Sequence, residues 1–97
     1  MDEQKYQKLS NTEIEKNLSE MNKWEIKNGK LYKEYIFQDF LKAIEFIIKI
    51  SKEIDRLDHH PEIFNIYNKV TITLSTHDIQ GISDYDFKLA KIIEKIM

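Results

Sequence analysis

Ile63-Phe-Asn-Ile-Tyr67-Asn-Lys-Val70-Thr-Ile-Thr-Leu-Ser75 is the stretch that decides the fold class. Val70, Ile72 and Leu74 alternate with Thr71, Thr73 and Ser75, the period of two that marks a strand buried on one face. Asn68-Lys69 separates this run from residues 63–67, so the two runs read as an antiparallel hairpin. Upstream, Pro61 closes a helical stretch over residues 39–57. That stretch places Phe40, Ile44, Ile47 or Ile48, Ser51 and Ile54 three or four residues apart, with Ile50 and Leu57 widening the stripe. So broad an apolar face requires either two partners within the domain or a subunit interface. Further upstream the turn dipeptide Asn28-Gly29 joins residues 24–27 to residues 30–37. In the latter, Leu31, Lys33, Tyr35 and Phe37 alternate with Tyr32, Glu34 and Ile36. Both sets carry apolar or aromatic groups, which leaves the inner face open.

Two matching signals bracket these elements. Ser10 and Glu13 form a capping box with Leu9 stapled onto Ile14, opening a helix with Ile14, Leu18 and Met21 on its buried side. Ile82-Ser83-Asp84-Tyr85-Asp86-Phe87 repeats the signature ahead of a stripe of Phe87, Ala90, Ile93 and Met97. The predicted order is α-β-β-α-β-β-α. It implies a single α+β domain over residues 1–97, with two layers: a four-stranded antiparallel sheet and three helices packed on one face.

At 97 residues the chain has room for one core, and 41% hydrophobic with 33% charged residues is an ordinary globular composition. A formal charge of -2, with no lysine-rich stripe, argues against direct binding of nucleic acid. The absence of cysteine excludes disulfides, thiolate zinc sites and thiol nucleophiles. Residues 1–8 are polar and lack the apolar stretch of a signal peptide, and no run reaches membrane-spanning length. The expectation is a soluble cytoplasmic protein, found in the nucleus as well if the chain is eukaryotic.

All three histidines fall in one short region: His59 and His60 are adjacent, and His77 follows the last strand. Imidazole donates from one nitrogen while accepting at the other near neutral pH, which suits reactions that need both operations. Pro61 biases His60 toward an extended backbone, on which neighbouring side chains diverge, so His59 and His60 face different surroundings. The hairpin between them and His77 can bring its two ends together, placing His59 and His60 beside Thr76 and His77. The bland alternative for a histidine pair before proline is a polar loop. Zinc is a second alternative, although adjacent histidines lack the same-face spacing usual in a ligand pair. Asp55 and Asp58 are candidates to orient the imidazoles, against a background expectation of solvated charge at a helix end. Asp86 reads first as the cap of the last helix. Ser75 stands on a regular strand with no nucleophile elbow, so a hydrolytic triad is not indicated. With Gly29 and Gly81 as the only glycines, there is no phosphate loop.

The run Asp55-Arg-Leu-Asp-His59-His60-Pro61-Glu-Ile-Phe-Asn-Ile-Tyr67-Asn-Lys-Val-Thr-Ile-Thr-Leu-Ser-Thr76-His77, continuing through Gly81 to Asp86, closely resembles the signature of the pterin-4a-carbinolamine dehydratases. It does so without a gap. The similarity extends more weakly to the opening at Leu9 to Glu13, to Trp24, and to Phe37-Gln-Asp-Phe40. The resemblance implies a fold that agrees with the periodicity above, and association into homodimers or homotetramers through sheet edges and the middle helix. It also implies an enzyme without cofactor or metal, removing water from 4a-hydroxytetrahydrobiopterin to leave a quinonoid dihydropterin for tetrahydrobiopterin recycling. Carried over by position, His59 and His77 are the acid/base candidates, and His60 and Pro61 bind the pterin. Thr76, His77 and Asp78 line its other side, with Asp55, Asp58, Ser75 and Asp86 in support. Ile63 departs from the tryptophan that relatives often carry beside the HHP triplet. Some animal relatives also serve a homeodomain transcription factor as a dimerisation cofactor, so a noncatalytic binding module on the same fold is the alternative function.

Overall fold

The computed structural model describes residues 6–97; the start of the polar stretch at residues 1–8 lies outside the described residues. The elements run α1 (Asn11–Ser19), β1 (Glu25–Lys27), β2 (Lys30–Ile36), α2 (Phe40–Leu57), β3 (Glu62–Ile66), β4 (Lys69–Leu74), a 3-10 turn (His77–Ile79) and α3 (Asp84–Ile96). This is the predicted α+β order. The four strands form one antiparallel sheet in the order β1-β2-β4-β3.

Register explains which side of the sheet is buried. Leu31, Lys33 and Tyr35 of β2 pair with Leu74, Ile72 and Val70 of β4, and Ile72 pairs in turn with Ile63 of β3. Leu31, Val70, Ile72 and Leu74 are fully buried under the helices, whereas Ile36, Phe64 and Ile66, of opposite parity, are exposed. The open choice at β2 is thereby settled in favour of Leu31, Lys33 and Tyr35. Lys33 is tolerated inside because its ammonium pairs with Glu94 of α3 and donates to the Asn22 carbonyl at 2.8 Å. The Trp24 indole N–H donates to the same Glu94 oxygen at 2.7 Å. A buried charge kept in this way has its hydrogen bonds satisfied, which burial demands.

Both predicted capping boxes are present, at Ser10 with Glu13 and at Ser83 with Asp86. The β1-β2 turn takes left-handed backbone at Asn28 (φ 54°) and Gly29 (φ 75°), which matches the right-handed twist of the flanking strands. In α3, Phe87, Ala90 and Ile93 are buried as expected, joined by Leu89, while the terminal Met97 is exposed.

The stripe expected on α2 requires correction. Ala43, Phe46, Ile50 and Ile54 face the core, whereas Phe40 (52% exposed) and Ile48 (54%) face outward and Ser51 is exposed with them. Apolar residues cover more than half the circumference of this helix. Spacing alone therefore admits two overlapping stripes, and the sheet selects the one carrying the small Ala43. The other, formed by Phe40, Leu41 and Ile48, is exposed and not covered among the described residues. Among the described residues, no helix is long and apolar enough to cross a membrane.

Candidate active site

His59 is positioned by the way α2 stops. Asp58 adopts the left-handed conformation (φ 53°, ψ 46°), its N–H bonds the Asp55 carbonyl at 3.2 Å, and the His59 N–H reaches back to the Ile54 carbonyl at 3.4 Å. This pair of bonds is the Schellman ending, and it turns the chain sharply inward. His59 is consequently 5% exposed, whereas its neighbour His60 lies outside. The divergence expected of the pair is present.

The His59 Nε2 lies 2.6 Å from Oδ1 of Asp86, which is fully buried. The other Asp86 oxygen accepts the Thr76 hydroxyl at 2.9 Å and the Ser83 backbone N–H at 2.9 Å. Because the Thr76 proton is committed to Asp86, the 2.6 Å contact between the Thr76 and Ser83 hydroxyls has Ser83 as donor. Ser83 Oγ in turn accepts the Tyr85 N–H at 3.2 Å. With Asp86 as a carboxylate that only accepts, Nε2 of His59 is the donor of this contact, and Nδ1 is the ring nitrogen left for other partners. Two rings complete the surroundings: Tyr6 and Tyr85 have centroids 5.6 and 5.8 Å from that of His59.

Asp86 thus both caps α3 and holds His59. Asp58 Oδ1 is 3.2 Å from Nε2 of the exposed His60. The Asp55 side chain has no hydrogen bond or ion pair among the described residues. Pro61, half-buried, joins α2 to β3. On the far side of the hairpin, β4 ends at Leu74, and Thr76 and Gly81 close a small loop through Thr76 N–H to the Gly81 carbonyl at 2.8 Å. Within this loop Thr76 is buried, while His77 and Asp78 are exposed on the 3-10 turn. Ser75, Thr76, His77 and Gln80 line an open cavity of about 380 Å³ against Asn28 and Lys30 of the first hairpin. A larger cleft of about 480 Å³ between α2 and α3 contains none of the histidines.

Asp86 of α3 therefore links His59 to Thr76, while His60 and His77 are exposed. Among the described residues, no three His, Cys, Asp or Glu side chains are grouped to hold a metal ion. Ser83, Tyr6 and Tyr85 were not among the expected site residues. Ser83 is visible in the sequence only as a cap, and Tyr6 lies in a polar stretch without periodicity. Ile63, at 37% exposure, projects to the helix side of β3, and the ring contacts of His59 come from Tyr6 and Tyr85.

Fold and site together define a two-layer α+β domain with one carboxylate-held imidazole and two exposed imidazoles around the ends of its second hairpin. Residues 7–96 match the family described as pterin 4 alpha carbinolamine dehydratase, and the chain belongs to that family. A relative from Solibacter usitatus is 44% identical over 89 residues, covering 92% of this chain and 94% of its own. One from Sulfolobus acidocaldarius is 43% identical, covering 92% and 98%. Both carry the name pterin-4-alpha-carbinolamine dehydratase, a hydro-lyase. A crystal structure from Brucella melitensis, described as a transcriptional coactivator/pterin dehydratase, superposes with a TM-score of 0.88 at 33% identity, covering 93% of this chain and 98% of that one.

Proposed function

We propose that this chain dehydrates 4a-hydroxytetrahydrobiopterin, by histidine acid/base catalysis without metal or cofactor, in support of tetrahydrobiopterin recycling. The hydroxyl on C4a departs with one added proton as water, and N5 releases one proton, so the quinonoid dihydropterin and water account for every atom. One group must donate and another accept. The observation that carries the reading is the His59–Asp86 contact at 2.6 Å, which anchors Nε2 of one imidazole on a fully buried carboxylate. His77, exposed beside the 380 Å³ cavity, is the opposing acid/base group. His60, Pro61 and Asp78 contact the pterin. Thr76 serves from behind, its hydroxyl committed to Asp86 and Ser83.

The test is dehydration of freshly generated substrate, measured against the spontaneous rate. His59→Ala and His77→Ala should each lower turnover by about a hundredfold, the scale of a lost general acid or base. His60→Ala should chiefly raise KM. Chelator should leave the parent rate unchanged. If all three variants remain within about threefold of the parent, well short of general acid/base scale, the noncatalytic module replaces this reading. Loss of activity to chelator with recovery on zinc would replace it with a metal enzyme.

The proposal includes self-association as a homodimer or homotetramer. It is supported by the uncovered Phe40, Leu41 and Ile48 of α2, and by Phe64, Ile66 and Tyr67 on and beside β3, the strand at one edge of the sheet. Isolated apolar residues on a surface are ordinary, but three exposed on one helix and three on and beside an edge strand of a chain this small point to partners. No nucleic acid or membrane partner is proposed, and the compartment we propose is the cytoplasm.

A further inference from the structure

We infer that Tyr6 is a positioning residue of the active site, holding the plane of the His59 imidazole against Tyr85, and that the segment at residues 6–9 belongs to the catalytic unit. A hydrogen bond fixes one atom of a ring, and the ring remains able to swing about that bond. The Asp86 contact at 2.6 Å leaves this freedom to His59. Contacts from other rings remove it. Tyr6 lies 5.6 Å from the imidazole at 48° between planes, and Tyr85 lies 5.8 Å away at 66°. The two tyrosines brace each other edge to face at 4.9 Å and 82°, a preferred arrangement of aromatic pairs.

The chain delivers Tyr6 to this position by strand-like pairing with the entry to α3. Leu9 N–H donates to the Ile82 carbonyl at 3.0 Å, and Lys8 bridges Ser83 in antiparallel fashion. Asp84 N–H donates to the Gln7 carbonyl at 3.1 Å, while Gln7 N–H donates to Asp84 Oδ1 at 2.9 Å. Residues 82–86 therefore supply Ser83, Tyr85 and Asp86 to the site and also the edge on which Tyr6 is mounted. One short segment fixes the imidazole at its nitrogen and, through Tyr6, at its face. A near-attack geometry depends on both restraints, because a misplaced acid or base loses much of its effectiveness.

The kinetic part of this inference rests on the dehydratase reading; the spectroscopic part does not need a substrate. Long-range nitrogen–proton NMR of imidazole-labelled protein reads the tautomer and mobility of His59 directly. Tyr6→Ala should broaden the His59 ring signals through exchange among ring orientations about the Asp86 bond, and should lower turnover by about tenfold or more with KM within about twofold. Tyr6→Phe retains the ring and should restore both. Asp84→Ala, which removes the carboxylate holding the Gln7 N–H together with one acidic group in the first turn of α3, should shift the His59 signals in the same direction to a smaller extent. If His59 keeps its parental signals in folded Tyr6→Ala, or in Asp84→Ala where Tyr6→Ala does not fold, the inference is wrong. A Tyr6→Phe protein as impaired as Tyr6→Ala would overturn it as well, since the hydroxyl rather than the ring would then be responsible. If the parent shows no dehydration but Tyr6→Ala moves the His59 signals, the dehydratase reading fails and the positioning role stands.

Discussion

Asp86 accepts three hydrogen bonds, one each from His59, Thr76 and the Ser83 backbone, with no exposure to water. Asp86→Asn preserves its shape but turns one acceptor into a donor facing another donor. We expect a stability loss of about 1–3 kcal/mol, the penalty for an unsatisfied buried polar group, together with a fall in turnover of about a hundredfold. Urea unfolding and the dehydration assay measure the two; turnover at the parental level would exclude Asp86 as the orienting group. The sequence displays only half of this residue. Its position three after Ser83 reveals the cap because capping is local, whereas the contact with His59, 27 residues away, has no local pattern to reveal it. Tyr35 makes a second residue-scale case. Burial, reinforced by the nearby Glu94 charge, raises its phenol pKa well above the usual value. Among the described residues its hydroxyl has no partner at ordinary hydrogen-bond geometry, with the Glu94 carboxylate near enough to add to the shift. A raised folded-state pKa favours the protonated form, so this contribution is complete below about pH 10, the ordinary tyrosine value, and is lost as pH rises beyond it. Tyr35→Phe should therefore leave stability at pH 7 unchanged or higher, and should reduce the alkaline decline; denaturant midpoints at pH 7, 9 and 11 would show it. An equally steep decline in the variant would assign it to other groups.

The end of α2 joins a helix stop to the buried His59. Asp58 holds the left-handed position, which glycine occupies without steric penalty and other residues at a cost of roughly 1–2 kcal/mol, less for aspartate. Asp58→Gly should thus raise the melting temperature by a few degrees, at about 4–8 °C per kcal/mol for a domain of this size. Asp58's contact with His60 is exposed on both sides and contributes little to stability. A lower melting temperature would show that the contact outweighs the backbone strain. Elements of this kind were legible beforehand, since caps, turn dipeptides and strand alternation are all short-range signals. The rotation of α2 was not. Phe40, Ile44 and Ile48 give as good a helical period as Ala43, Phe46 and Ile50, and only the sheet beneath distinguishes them. The inner face of β2 was unreadable for a related reason: Lys33 is buried by Glu94, which lies 61 residues further along the chain.

At the scale of the molecule, two apolar surfaces lack cover among the described residues. One is the Phe40, Leu41 and Ile48 flank of α2, the other the corner formed by Phe64, Ile66 and Tyr67. Light scattering should report more than one protomer at micromolar concentration, and Ile48→Glu or Phe64→Lys should reduce the mass according to which surface associates. A parent chain that scatters as a monomer would remove the self-association proposal.

Many active sites are held in arrangements that weaken the protein, so that replacing a functional group raises stability while activity is lost. The carboxylate of Asp86 does not permit that exchange. One carboxylate begins α3 with one oxygen and holds His59 with the other, so a lineage selected for thermal endurance alone, with no demand for chemistry, would still retain this residue. Imidazole orientation would then outlast its use, and a member of this family that had ceased to be an enzyme would keep much of the appearance of one.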